Sequence, residues 1–142
     1  MDTWETPKKG QVICYNYLWS QEQNEGMENG TKDRPSIIVA AITTDDGNTH
    51  VTVFPITTKR PDPRDGIEIP PRVRIHLGLD AEASWVIVSE WNRFLWPGPD
   101  LRKPPGRDEP LYGFVPNKFF EKIIALFSER RAMGLSPTLV RR

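Results

Sequence analysis

One cysteine, two histidines and no net charge remove several kinds of function at once. Cys14 has no second cysteine to pair with, and its setting in the apolar run Val12-Ile13-Cys14-Tyr15 reads as a buried thiol of a reducing compartment. No neighbour in sequence would lower its pKa, so a nucleophilic role is not indicated. The chain has no glycine-rich phosphate loop, no CxxC, no HExxH and no GxSxG. Nucleotide hydrolysis, zinc sites and serine esterase chemistry therefore lack support. His50 and His76 are read as surface or satisfied structural residues. Apolar runs are too short to cross a bilayer, and Met1 to Lys9 is charged and polar rather than basic followed by apolar. A cytoplasmic protein without membrane contact is expected. The 19 basic and 19 acidic residues cancel, so a nucleic-acid site has to be a local patch.

Proline is plentiful, with 14 residues signalling many turns and irregular connections. A chain of 142 residues buries roughly two-thirds of its unfolded surface without disulfides or metal, and a single domain over 1–142 is expected. Residues 11–19 are β-branched and aromatic without a helical period, which predicts a strand. The stretch from Ser20 to Asp33 is too hydrophilic to pack and reads as a mobile loop. Ser36 to Thr43 and Thr49 to Thr57 read as a hairpin, because Asp46-Gly47-Asn48 supplies the positive-φ positions of a tight reversal.

Ile67 to Ile69 is a short strand candidate, and Arg72 to Leu77 a short helix entered by Pro70-Pro71 and stopped by Gly78, with a strand left open by the alternation of Val73, Ile75 and Leu77. Ser84 to Ser89 is a further strand. Trp91 to Pro110 shows no period and reads as a long extended connection. Asn117 can cap a helix with Phe120, Ile123, Ile124 and Phe127 on its apolar stripe, Arg130 and Arg131 near its end and Gly134 after it. The expected layout is a barrel over about 10–96, a connection over 97–116, a helix over about 117–133 and a loose tail over 134–142.

The order of elements carries a constellation. After Gly10 and the opening strand come a polar loop ending in Arg34-Pro35, an apolar strand, the turn Pro55-Ile56-Thr57-Thr58, and then Ser89-Glu90-Trp91-Asn92-Arg93. This arrangement, over residues 10–96, resembles the MazF/Kid (PemK-like) toxins of bacterial toxin-antitoxin systems. The resemblance implies a mainly β fold, an SH3-like small barrel with added helices, including a C-terminal packing helix, assembled as a homodimer. It implies a metal-independent endoribonuclease that cuts single-stranded RNA with no cofactor and is restrained by an antitoxin protein. By the same resemblance Arg34 matches the arginine acting on the scissile phosphate and Thr57 the threonine facing it. Glu90 matches the acidic position and Arg93 the basic one near the substrate groove, with Thr58 and Trp91 beside them as substrate-binding candidates.

The residue types suit that chemistry. Attack by the ribose 2′-hydroxyl needs a proton acceptor, a donor for the leaving oxygen and positive charge for the developing phosphorane. Arginine presents a planar fork of donors to phosphate oxygens, a threonine hydroxyl can hold the phosphate, and a carboxylate such as Glu90 could act as base. Bland readings stand beside these. Arg34 could pair with an acidic neighbour, Thr57 could bond its own backbone, and Glu90 and Arg93 could form a surface ion pair. Trp85, Trp91, Phe94 and Trp96 could stack unpaired bases or fill the core, with Trp91 and Trp96 the better candidates for exposure. The approach to Arg34, Glu28-Asn29-Gly30-Thr31-Lys32-Asp33, departs from the acidic residue and glutamine often found there in the family. Ile69 to Leu79 also resembles a stretch of AbrB-type antitoxins, with arginines at other spacings, and is taken as a convergent helix start and stop. A non-catalytic module on the same barrel, acting on a protein target as the related gyrase inhibitors do, or on RNA without cleavage, is the alternative.

Overall fold

The computed structural model describes residues 6–79 and 82–142. Its chain order is β1 (Gln11–Tyr15), α1 (Ser20–Asn24), β2 (Arg34–Thr43), β3 (Thr49–Thr57), β4 (Gly66–Glu68), α2 (Pro71–Leu77), β5 (Trp85–Ile87), β6 (Glu90–Trp96), β7 (Leu111–Phe114), α3 (Asn117–Ala132) and β8 (Thr138–Arg141). The strands form one bent, mainly antiparallel sheet in the order β4-β5-β3-β2-β1-β7, with β6 joining β3 to β8. The mainly β architecture with added helices is the one expected.

The central strands are apolar almost without a break because both of their faces are covered. Successive side chains on a strand point to opposite faces. Val12, Ile37, Phe54 and Ile56 accordingly enter one core, which α2 and α3 close with Val73, Leu77, Phe119 and Ile123. Their neighbours Ile13, Ile38 and Val53 enter a second core with Tyr15, Tyr17, Val51 and Phe94. Strand β3 serves both lobes: Thr49 to Val53 pair with β6, and Ile56 and Thr57 pair with β5. A bulge falls at Val39, where the β2–β3 register steps from Ile38↔Val53 to Ala40↔Thr52, and bulges bend the strand that carries them.

The β2–β3 hairpin turns where expected. Gly47 takes φ +85°, and the Asp46 carboxylate accepts from the Thr44 hydroxyl at 2.5 Å and the Asn48 amide at 3.0 Å. Helix α2 starts on Pro71 and stops at Gly78, which adopts φ +71°.

Four expectations need correction. Glu90–Trp96 lies in the supposed irregular connection, yet it is an interior strand. Its alternation was obscured because Asn92, a polar residue, occupies a buried position, where its amide donates to the Leu18 carbonyl at 2.8 Å and accepts from the Leu18 N–H at 3.0 Å. The supposed loose tail forms β8, which pairs parallel to β6, and Arg142 beyond it is locked in place. Its guanidinium donates to the Asn16 carbonyl at 2.6 Å and meets Asp100 at 3.1 Å. The hydrophilic stretch after Ser20 contains α1 and is stitched rather than loose. Glu22 accepts from the amides of Trp19 and Thr31, and Asn16 exchanges hydrogen bonds with Gly30 in both directions. Finally, Pro116 rather than Asn117 takes the cap position of α3. The buried stripe there runs through Phe119, Ile123 and Phe127 with Phe120 beside it, leaving Ile124 38% exposed. Among the described residues no helix is long and apolar enough to cross a membrane.

Candidate active site

The β2–β3 register decides where Arg34 and Thr57 stand. Ser36↔Pro55 and Ile37↔Phe54 both sum to 91, and so do Arg34 and Thr57 two steps further along. The two residues therefore sit across from each other on one face of the sheet, within reach of a common ligand. They line one cavity of about 490 Å³ together with Thr58 and Glu90. Trp19, Lys32, Lys59 and Arg60 complete its working surface.

Arg34 is held for a ligand rather than for a partner in the chain. Its guanidinium carbon lies 4.9 Å from the centre of the Trp19 ring, a cation–π arrangement. Its Nε is buried without a hydrogen-bond acceptor. Burial pushes the guanidinium pKa below its ordinary value, against the opposing charge of Glu22. A charged donor left unpartnered on a cavity wall is an anion-binding arrangement, since buried donors otherwise find acceptors. Thr57 Oγ1 accepts from the Lys59 amide at 3.2 Å, which leaves its own hydrogen free to be donated.

Glu90 enters the cavity from the start of β6, with its carboxylate committed. Oε1 accepts from the Tyr17 hydroxyl at 3.1 Å and the Ser20 amide at 3.0 Å, and Oε2 accepts from the Ser20 hydroxyl at 3.1 Å. Burial, then the charge of Glu90, pushes the Tyr17 pKa well above the ordinary phenol value. Glu90 and Asn92, both on one face of β6, thus clamp Tyr17, Leu18 and Ser20 around the Trp19 ring that supports Arg34. The other lining carboxylates are also paired, Asp65 with Arg130 at 2.5 Å and Asp62 with Arg64 at 3.5 Å. Lys32, Lys59 and Arg60 have no ion pair among the described residues, so the free charge of the cavity is positive.

Arg93 and Trp91 are not brought here. Being one and three residues from Glu90, they point to the opposite face of β6. Both line a separate cavity with Ile42 and His50. Arg93 Nε lies 3.5 Å from the Thr52 hydroxyl, and neither a groove position nor an ion pair with Glu90 results. Trp91 is half-buried, stacked on Phe54 at 5.7 Å and set against Phe127 at 5.1 Å, so it serves the core. Trp96 is likewise half-buried, beside Phe94. Cys14 is a buried free thiol whose pKa burial raises.

Sequence reasoning missed Trp19, Lys32, Lys59, Arg60 and Asn92. The basic residues were legible as flanks of the two motifs, at Lys32-Asp33-Arg34 and Thr57-Thr58-Lys59-Arg60. Trp19 carried no signal, because its place beneath Arg34 is set by β6.

No protein-family model matches the sequence, and no curated protein matches it. Among solved structures, the chain is similar to a mycobacterial endoribonuclease determined in complex with its cognate antitoxin. The TM-score is 0.58 and the identity 17%, over 91% of this chain and 96% of that one. Since the match covers nearly the whole of both chains, the chain has the fold of that endoribonuclease, here a mainly antiparallel β sheet with added helices.

Proposed function

We propose that this protein is the toxin of a toxin-antitoxin pair, a metal-independent endoribonuclease that cleaves single-stranded RNA by attack of a ribose 2′-hydroxyl on the adjacent phosphate. The carrying observation is the buried, acceptor-less Nε of Arg34 in a cavity shared with Thr57. In the reaction the 2′-oxygen bonds to phosphorus and gives its proton to water, the bond to the 5′-oxygen breaks as that oxygen takes a proton from water, and a cyclic phosphate and a free 5′-hydroxyl result. Arg34 stabilises the charge that grows on the non-bridging oxygens, and a preorganised donor does this without reorganisation. Thr57 donates its hydroxyl hydrogen to the same phosphate. Lys32, Lys59, Arg60 and Thr58 guide the flanking backbone. Glu90 acts as a positioning residue, since both of its carboxylate oxygens are held by Tyr17 and Ser20. Arg93 and Trp91 have no part in the cavity. The working form is a cytoplasmic homodimer, with an antitoxin segment laid over the cavity. The fold shared with an endoribonuclease solved with its antitoxin supports this reading.

One observation favours the alternative of an RNA binder without cleavage: all three lining carboxylates have partners, and neither histidine lines the cavity. Incubation with a long single-stranded RNA in excess EDTA separates the two. Cuts that vanish in Arg34→Ala support the nuclease, whereas RNA bound but intact at high protein concentration supports the binder.

A further inference from the structure

The loop between β1 and β2 carries Trp19, whose ring supports Arg34, and Lys32, which lines the same cavity. From Ser20 to Asp33 no residue of this loop is buried. A segment with so little apolar burial opens locally at small cost unless something else ties it down. Its two ends are tied from outside, by the guanidinium of Arg142. One nitrogen donates to the Asn16 carbonyl at 2.6 Å and the other to the Glu28 carbonyl at 3.3 Å. The same group reaches the side-chain oxygen of Asn92 at 3.4 Å, and Asn92 in turn bonds both backbone groups of Leu18, the residue before Trp19.

Strand β8 brings this side chain to its place. The strand pairs with β6, Val140 anchors it in the interior, and the Arg142 amide continues the pairing by donating to the Arg93 carbonyl at 2.9 Å. The Arg142 side chain is 5% exposed and meets Asp100 at 3.1 Å. A structural ion pair would need no more than that carboxylate. The planar fork of arginine donors instead serves both ends of the loop and the residue that clamps its middle, a task for which a point charge is unsuited. The Asp100 backbone is held independently, since its carbonyl accepts from the Asn16 amide at 2.8 Å.

We propose that Arg142 is a positioning residue for the Arg34 cavity: delivered by β8, it closes the loop that sets Trp19 against Arg34 and holds Lys32 at the cavity wall. This rests on the reading of that cavity as an RNA site, and the test separates the two. Without the tie the loop samples open states, and RNA has to close it on binding. If about one molecule in ten is then closed, KM rises about tenfold while kcat of the bound complex changes little. Two variants of the full chain keep the fold while cutting the tie. Arg142→Lys retains a charge opposite Asp100 without the fork, and the double variant Arg142→Met with Asp100→Asn removes both charges of the buried pair together. In each, the loop amides of Leu18, Trp19, Gly30 and Thr31, all hydrogen-bonded to side chains, should exchange about tenfold faster, while those of the β2–β3 hairpin keep their protection. Cleavage kinetics in EDTA should show the rise in KM without a matching fall in kcat; if RNA is bound but not cut, the dissociation constant of a short 2′-fluoro RNA takes the place of KM. A KM or dissociation constant that stays at the wild-type value in both folded variants overturns the positioning role and leaves the Arg34 site standing. A wild type that neither cuts nor binds RNA overturns both.

Discussion

Replacing Arg34 by methionine separates a residue kept for a ligand from one kept for the fold. The substitution retains an apolar stem against Trp19 and deletes the guanidinium. The buried Nε has no acceptor, and an unsatisfied donor costs about 1–3 kcal/mol. The cation–π contact at 4.9 Å is also lost, a stabilisation of about 0.5–2 kcal/mol. The difference leaves the variant about 1 kcal/mol more stable, a rise in Tm of about 2–4 °C for a domain of this size. RNA cleavage should fall by about 10²–10³-fold, the usual loss when one oxyanion donor is removed. Inorganic phosphate should raise the Tm of the wild type and leave the variant unmoved. Scanning calorimetry with and without phosphate, beside a cleavage assay in EDTA, reads all three. A variant destabilised by about 3 kcal/mol or more would show that Arg34 had been one half of a structural ion pair, and wild-type cleavage would remove it from the chemistry; either result refutes the argument.

Glu90→Gln puts an amide against three donors and should destabilise the chain by about 1–3 kcal/mol; if Glu90 only positions the site, KM rises more than kcat falls and Glu90→Asp recovers part of the loss, whereas a pH–rate profile that has lost its acidic limb would make it the base. Gly30→Ala should dislodge the loop that carries Lys32, since a Cβ there would lie 2.0 Å from the Tyr17 carbonyl oxygen; amide exchange over Thr31 to Asp33 reports it. Arg142→Ala leaves Asp100 buried without its cation and should cost about 3–5 kcal/mol in urea unfolding. Stability should be level through neutral pH and decline as pH rises above the ordinary thiol value of 9.0, because the unfolded chain releases protons that burial holds on Cys14 and, at higher pH, on Tyr15 and Tyr17; Cys14→Ala should remove the earliest part of the decline.

Where local chemistry was sufficient, the sequence alone determined the outcome. The β2–β3 hairpin followed from two apolar runs and an Asp-Gly-Asn reversal, α2 from its prolines and Gly78, and the nearness of Arg34 to Thr57 from motif order. Tertiary structure decided the rest. Strand β6 escaped notice because its inward position holds Asn92, whose amide is satisfied by the Leu18 backbone, 74 residues distant in sequence, and by Arg142. The same strand settled which motif residues share a face, sending Glu90 into the cavity and Trp91 and Arg93 away from it. Residues 134–142 looked like a tail because so short a run has no detectable period. Pairing with β6 and the Arg142–Asp100 contact supply its stability, and such long-range partners leave no trace in local pattern.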